Sequence, residues 1–402
     1  MMGGMSRSPL LIALLFALAC AGDPAPSTFS VRDSAGVQIV ETAQAAWESA
    51  PAWRIGDTPL LSIGTTDGPL DYQFSRIVGA TRFDDGSIAV ADAGTNSVRF
   101  FDASGKWIRT VGGTGSGPGE FRALQSLGRS GDSIDVLDRR LGRITVFDRT
   151  GRLVRTVQPT FTRVTAIHRL TNGRWIAAEE EGFYGGRVRE DATPGLHRFP
   201  SMAVFLDSTG ALVDTLGSFP GAETAYYTLD GRVGSHQAAY GRTLRFNTSG
   251  DDALVVTGDH LGFEVHNADG RLVRSIRARG PDLTMRTEDV ERFNSAILGS
   301  IENAAVRDGF GRALRLAASP VEKAPVGRIL VDPLGHVWLS EYENDFLPAS
   351  VWFVFDRTGR HMGQVTGPPD TWLLEIGEAH VIGIFKGSSG VESVRAFALH
   401  RN

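Results

Sequence analysis

The chain has 402 residues, 42% of them hydrophobic, with 48 glycines and a single cysteine. That is enough for a sizeable core in one or two domains, and one cysteine excludes a disulfide framework, so packing must hold the domain together. Lys plus Arg number 41 against 46 Asp plus Glu, a net charge of −5, which excludes a strong pull toward nucleic acid.

The first element is an export segment. Arg7 gives a short positive region and residues 10–19 an apolar run too short to span a bilayer. The run ends in Ala17-Leu18-Ala19-Cys20. This resembles the bacterial lipoprotein signal, in which the cysteine is lipidated and becomes the new N-terminus. The resemblance implies a signal peptide over residues 1–19, a lipidated Cys20 with a linker over 20–30, and a folded domain over 31–402. It also implies an exported protein of the bacterial cell envelope, on the periplasmic side of the outer membrane or at the cell surface. One lipid-modified residue would tether it without inserting it. An ordinary secretory signal with a leftover cysteine is the plainer alternative.

A repeat follows. Phe101-Asp102-Ala103-Ser104-Gly105-Lys106-Trp107-Ile108-Arg109-Thr110-Val111 recurs as Phe147–Val157, Leu206–Leu216, His266–Ile276 and Phe355–Val365. Each copy is a strand end, an Asp/Asn-x-x-Gly turn and a second alternating strand. The Asp or Asn side chain starts the turn by accepting from backbone amides, and Gly supplies the positive φ at its end. Upstream of each lies a further hairpin, turning at Asp85-Gly86, Gly131-Asp132, Asn172-Gly173, Gly250-Asp251 and Leu334-Gly335. Each unit is therefore four short antiparallel strands on a basic length of about 45 residues, in the range of propeller blades. A sixth unit near the C-terminus shows only three strands, at 372–376, 380–385 and 391–399. Residues 58–64 are expected to complete it, with the hairpin at Asp33-Ser34-Ala35-Gly36 as a rival closer. The expected fold is all-β: a six-bladed β-propeller of four-stranded blades, closed by an N-terminal strand.

Gly115–Phe121 could be mistaken for a phosphate-binding loop, but strands follow it rather than the helix whose N-terminal amides such a loop needs. It reads instead as the link between two blades. Ile88-Ala89-Val90-Ala91-Asp92, Asn96, Val98–Asp102 and Gly117-Pro118-Gly119-Glu120-Phe121 resemble the NHL repeat, and Ile134–Asp138 with Arg143–Asp148 repeat the pattern. The resemblance implies a six-bladed propeller whose relatives bind proteins, RNA or small molecules, a minority being metal-dependent lyases. Neighbouring gluconolactonase-like propellers are calcium-dependent hydrolases, so the fold leaves function open.

Five second strands end in or near an acid: Asp92, Asp138, Glu179, Asp259 and Glu341. An arginine begins five innermost strands, at the channel mouth: Arg76, Arg122, Arg163, Arg242 and Arg328. These ten residues form the candidate ligand face. Either each arginine forks onto an acid of an adjacent blade as a structural pair, or the arginines converge on an anionic ligand. The carboxylates also suit calcium, although the arginines beside them compete. No other cofactor, metal site or catalytic residue is indicated, and Gly-x-Ser-x-Gly and His-Glu-x-x-His are absent.

Three insertions break the symmetry: a charged loop at 179–200, a segment at 217–240 with Tyr226, Tyr227, His236 and Tyr240, and a helical insertion at about 284–318. There Thr287 would cap a helix whose stripe of Val290, Phe293, Ile297 and Ile301 faces the channel mouth. The leading expectation is a monomeric, non-enzymatic module that binds a small molecule or a protein through the mouth face. It would bind no nucleic acid and meet the membrane only through its anchor. A metal-dependent hydrolase or lyase is the alternative, and a platform of exposed aromatics, Phe183, Tyr184, Tyr226 and Tyr227, is a third reading.

Overall fold

A computed structural model describes residues 28–48, 53–161, 164, 166–178, 193–344, 346–387 and 390–401. Residues 1–27, with Cys20, lie outside the described residues, as do Arg163, Glu179, Phe183 and Tyr184.

The chain forms six antiparallel sheets. Blade 1 comprises Ile77–Arg82, Ile88–Asp92, Ser97–Phe101 and Trp107–Gly112. Blade 2 comprises Leu124–Ser130, Ser133–Asp138, Arg143–Asp148 and Leu153–Val157. Blade 3 comprises Ala166–Arg169, Trp175–Ala178, Gly195–Leu206 and Leu212–Leu229, with Arg232–Gln237 as a fifth strand. Blade 4 comprises Arg245–Ser249, Asp252–Val256, Gly262–His266 and Leu272–Ala278. Blade 5 comprises Ile329–Val331, Val337–Ser340, Val351–Phe355 and His361–Thr366. Blade 6 comprises Thr371–Ile376, His380–Lys386, Glu392–His400 and, as its outer strand, Arg54–Ile63. Each innermost strand contacts that of the next blade, and the sixth contacts the first, so the chain is a six-bladed β-propeller.

The N-terminal strand is longer than the 58–64 expected, and it pairs Ile63 with Val394 and Ile55 with Leu399. The rival hairpin has a different place. Phe29–Ser34 and Val37–Thr42 form it, and Val37–Thr42 docks in parallel on the outer strand of blade 4.

Alternation within each strand sends side chains to both faces of a blade. Six buried clusters result, one in each seam. Phe100, Phe121 and Phe147 join blades 1 and 2, while Trp175, Val146 and Val204 join blades 2 and 3. Phe205 and Phe246 join blades 3 and 4, and Ile276, Phe353 and Phe355 join blades 4 and 5. Trp338, Trp352 and Phe397 join blades 5 and 6, and Ile63, Phe101 and Val394 join blades 6 and 1.

The repeated turns take the expected form. Asp102 Oδ1 accepts from the amides of Ser104 and Lys106, each at 2.9 Å, and Gly105 has φ 82°. Asp148, Asp207, Asn267 and Asp356 do the same in four later blades.

The insertions differ from expectation where they are described: residues 179–192 of the expected charged loop lie outside the described residues, and from Gly195 the chain is already strand, paired with the end of the blade 3 hairpin. The 217–240 segment is not a loop: the outer hairpin of blade 3 runs on past the blade, and Arg232–Gln237 pairs with its end. The helical insertion is two helices, α1 (Thr287–Gly299) and α2 (Ala304–Leu316). Thr287 is the first residue of α1 rather than its cap; Arg286 holds that position and its amide donates to Asp289 at 3.1 Å. Of the expected stripe, Phe293 and Ile297 are buried in a cluster with Tyr240 and Tyr342, Ile301 packs against it in part and Val290 is outside it. Among the described residues no helix is long and apolar enough to cross a membrane.

The turn aspartates make a pH prediction. Hydrogen bonds from Ser104 and Thr209 hold the Asp102 and Asp207 carboxyls below the ordinary value of 3.8. Burial pushes Asp148 up, but bonds from Thr150 and Arg152 outweigh it and bring it to about 2. Carboxyls lowered on folding contribute stability above the unfolded value and lose it as pH falls through the folded one, here from 3.8 to about 2. A variant combining Asp102→Asn, Asp148→Asn and Asp207→Asn should start from a lower urea midpoint at pH 7 and lose less of it across that window. A slope equal to wild type would contradict this.

Candidate functional site

The six innermost strands surround a central cavity of about 530 Å³. Its wall includes Thr81, Gln125, Arg129, Asp135, His168, Arg169, Arg245, Asn247, Arg328, Glu343, Asn344 and Glu375. Among the described residues neither helix contributes to that wall. The α1/α2 pair sits beside it on the mouth face: Tyr240, which leads into blade 4, stacks 4.7 Å from Tyr342, which follows a strand of blade 5, and Phe293 lies 6.0 Å from Tyr240. Burial pushes the Tyr342 hydroxyl's pKa well up.

The arginine–acid rim is present but wired differently from either expectation. Asp92 is fully buried; its Oδ1 accepts from the backbone amides of Arg76 and Gly94, both at 3.0 Å. Its ion pair is with Arg99 of its own blade at 3.3 Å, and Arg99 also donates to the Gln73 carbonyl at 2.6 Å. Asp138, also fully buried, accepts from four backbone amides: Arg122 at 2.5 Å, Ala123 at 3.3 Å, Arg140 at 2.9 Å and Leu141 at 2.8 Å. The side chains of Arg76 and Arg122 are exposed, and Arg122 Nε donates to Ser116 Oγ at 2.6 Å.

In blade 5 the equivalent acceptor is Ser340, whose Oγ takes the Arg328 amide at 2.8 Å. Glu341 instead holds Ser350, through its amide at 2.8 Å and its hydroxyl at 2.6 Å. At the entry to blade 4 the Arg242 amide donates to Glu223 of blade 3 at 3.1 Å. The expected cross-blade fork occurs at Asp259, but from Arg198 of blade 3 at 2.7 Å; Arg242, of the same blade, stands 4.0 Å away. Most of the rim acids therefore serve as caps for backbone amides. The physical reason is the link itself: the chain enters each inner strand with amides that no ladder satisfies, and a buried amide must find an acceptor.

Sequence reading missed the wall of the channel. Arg129 donates to Asp84 at 2.5 Å and to the Arg82 carbonyl at 2.7 Å, both in blade 1. Arg169 reaches Asp135 of blade 2 at 3.3 Å, and Trp175 Nε1 donates to the same carboxylate at 3.0 Å. Burial pushes the Asp135 carboxyl up despite these partners. Arg328 pairs with Glu343, a residue with only 5% exposure whose Oε2 is buried with no hydrogen-bond partner among the described residues. Arg245 donates to the carbonyls of Gly327 and Leu244, each at 3.2 Å. Glu375 accepts from Thr81 and from the Arg82 amide. His168 and Gln125 have no hydrogen-bond partner among the described residues and line the cavity. Burial brings the His168 imidazole down to about 4, so it is neutral at pH 7. Three inner strands are themselves polar, LQSLGRS at 124–130, AIHR at 166–169 and RFNTS at 245–249, and that composition was the available signal that they line a channel rather than a core.

Among the described residues no three acidic or histidine side chains stand close enough to hold a metal ion, and the rim acids are engaged as above. The aromatic platform is also corrected in part: Tyr226 and Tyr227 are 3% and 9% exposed, buried in the extended hairpin of blade 3.

A family model described as a 6-bladed beta-propeller matches residues 64–184. No curated protein matches the chain in sequence. Among solved structures, a protein of Bacteroides fragilis described as exported is similar at 11% identity and a TM-score of 0.49, covering 90% of this chain and 99% of its own. A member of the DUF4221 family from Bacteroides vulgatus gives 10% identity and a TM-score of 0.43, covering 87% and 98%. Virginiamycin B lyase from Staphylococcus aureus gives 11% identity and a TM-score of 0.42, covering 87% and 100%.

Asp138 and Arg122 separate capping from pairing. Asp138→Ala would strand buried amides and should cost at least about 3 kcal/mol in urea unfolding. Arg122→Ala should change stability by less than about 0.5 kcal/mol. Equal losses would restore the side-chain pair.

Proposed function

We propose that this is a non-enzymatic binding propeller of the NHL type, tethered in the bacterial cell envelope by lipid on Cys20, and that a small polar ligand enters its channel. The anchor rests on the export signal and the cysteine that ends it. The observation that carries the ligand is the cavity wall. About 530 Å³ suits a small molecule. Within it Arg129, Arg169 and Arg328 already have carboxylate partners. What remains is a neutral imidazole on His168, the Gln125 amide and the Glu343 Oε2. That set favours a neutral, hydrogen-bonding ligand over a strongly anionic one. Among the described residues no group of three acids or histidines is placed to hold a metal ion, so nothing there favours the hydrolase or lyase reading.

Gly128 gives a direct test. It lines the cavity, and a Cβ there would meet nothing within 4 Å. Gly128→Trp should therefore plug the channel with the fold intact. Native mass spectrometry of protein purified from its own envelope fraction should show a small molecule on wild type and at least tenfold less on the plugged variant. A wild-type protein without one, or a variant that keeps it, would contradict the reading. Cys20→Ser should abolish incorporation of labelled fatty acid; persistent labelling would remove the anchor.

A further inference from the structure

The outer strand of a blade leaves backbone donors and acceptors on an open edge unless something covers them. In blade 4 the chain covers that edge itself. Val37–Thr42 runs parallel to Leu272–Ala278, setting Gln38 opposite Arg274, Val40 opposite Ile276 and Glu41 opposite Arg277. Val40 is buried with Ile276, and Phe29 packs on the same cluster. This shows what such an edge accepts: an extended strand with aliphatic side chains, with an amide and a carboxylate in register with arginines, although Arg274 itself donates to the Arg357 carbonyl at 2.9 Å and Glu41 pairs with Arg32 at 3.9 Å.

Blade 1 has the same edge with no strand added to it; at its start the Trp107 amide donates to Tyr72 Oη of the short turn Leu70–Tyr72 at 2.8 Å, and the edge beyond that is uncovered by a strand. Lys106-Trp107-Ile108-Arg109-Thr110-Val111 aligns with Arg271-Leu272-Val273-Arg274-Ser275-Ile276 in the repeat. Trp107 and Ile108 are 36% and 49% exposed, whereas Leu272 and Val273 are half-buried under the hairpin. Trp107–Gly112 has a single sheet neighbour, Ser97–Phe101. The Gly113 amide donates inward to Asn96, and alternation along the ladder then leaves the Thr110 amide on the open side. Arg109 is exposed and joins no ion pair among the described residues.

The remaining edges lack this combination. In blade 2 the equivalent Arg155 lies over Trp175, 5.3 Å from the ring centre. Blade 3 has Asp214 at that position. In blade 5 Trp47 packs at Gly363 of the outer strand, and blade 6 already takes its outer strand from the N-terminal segment.

We propose that the outer edge of blade 1 docks an extended segment of another polypeptide by parallel strand addition, with aliphatic side chains along it and a carboxylate or amide opposite Arg109. Backbone bonds would give the affinity, and Arg109 with Trp107 the selectivity. The site is on the rim, away from the channel, so its fate is independent of the ligand reading.

The test uses the full chain and a synthetic peptide of residues 36–43, Gly-Val-Gln-Ile-Val-Glu-Thr-Ala. Hydrogen exchange at the amides of 108–112 should slow at least tenfold on adding peptide. Thr110→Pro, which removes the open-edge donor, should abolish that protection. Arg109→Glu, which leaves the backbone untouched, should weaken binding about tenfold. Three results would overturn the proposal: no protection at 108–112, protection only at 272–278 through exchange with the chain's own hairpin, or binding unaffected by both variants. A peptide-free dimer that already protects 108–112 would also overturn it, since the occupant would then be a second copy.

Discussion

Packing between neighbouring blades is the interaction on which everything else depends. Each blade is a four-stranded sheet with apolar side chains on both faces, and neither face is covered within the blade. Phe101 and Phe100 show this on adjacent residues of one strand: Phe101 enters the seam with blade 6, Phe100 the seam with blade 2. A ring left open would expose two such faces. Closure by Arg54–Ile63 is thus a condition of stability rather than an ornament of topology, since Ile63 and Ile55 each belong to a seam cluster.

The wheel geometry then decides what the polar residues can do. Each link delivers the chain to an inner strand through amides that the ladder cannot satisfy, and Asp92, Asp138, Glu223 and Ser340 answer that need. A repeated acid is therefore a structural signature, because every blade meets the same local problem. Under the proposed reading, the groups that would meet a ligand are His168, Gln125 and Glu343, which come from three different blades. Strong apolar seams tolerate such a polar, partly unsatisfied channel.

Strand order, blade number and the source of the closing strand were legible in the sequence because turn chemistry and period-2 alternation are local. The Asp-x-x-Gly turns could be counted without any knowledge of packing. The rim was misjudged because Arg76 and Arg122 contribute backbone amides, and a sequence shows side chains only. The 217–240 segment continues as strand although Gly217, Pro220 and Gly221 interrupt its alternation, because the hairpin absorbs them as register shifts. Glu343 was overlooked in favour of Glu341 because both follow the same strand, and only packing shows which one reaches Arg328.

Closure of the ring can be tested by one covalent measurement. Ser62 stands opposite Arg395 across the last seam of blade 6, while Gln38 of the rim hairpin stands opposite Arg274 in blade 4. In a Cys20→Ser background, paired cysteines replacing Ser62 and Arg395 should form a disulfide on mild oxidation and raise the melting temperature, whereas cysteines replacing Gln38 and Arg395 should stay reduced. A first pair that remains reduced in the folded protein, or a second pair that links, would contradict the closure.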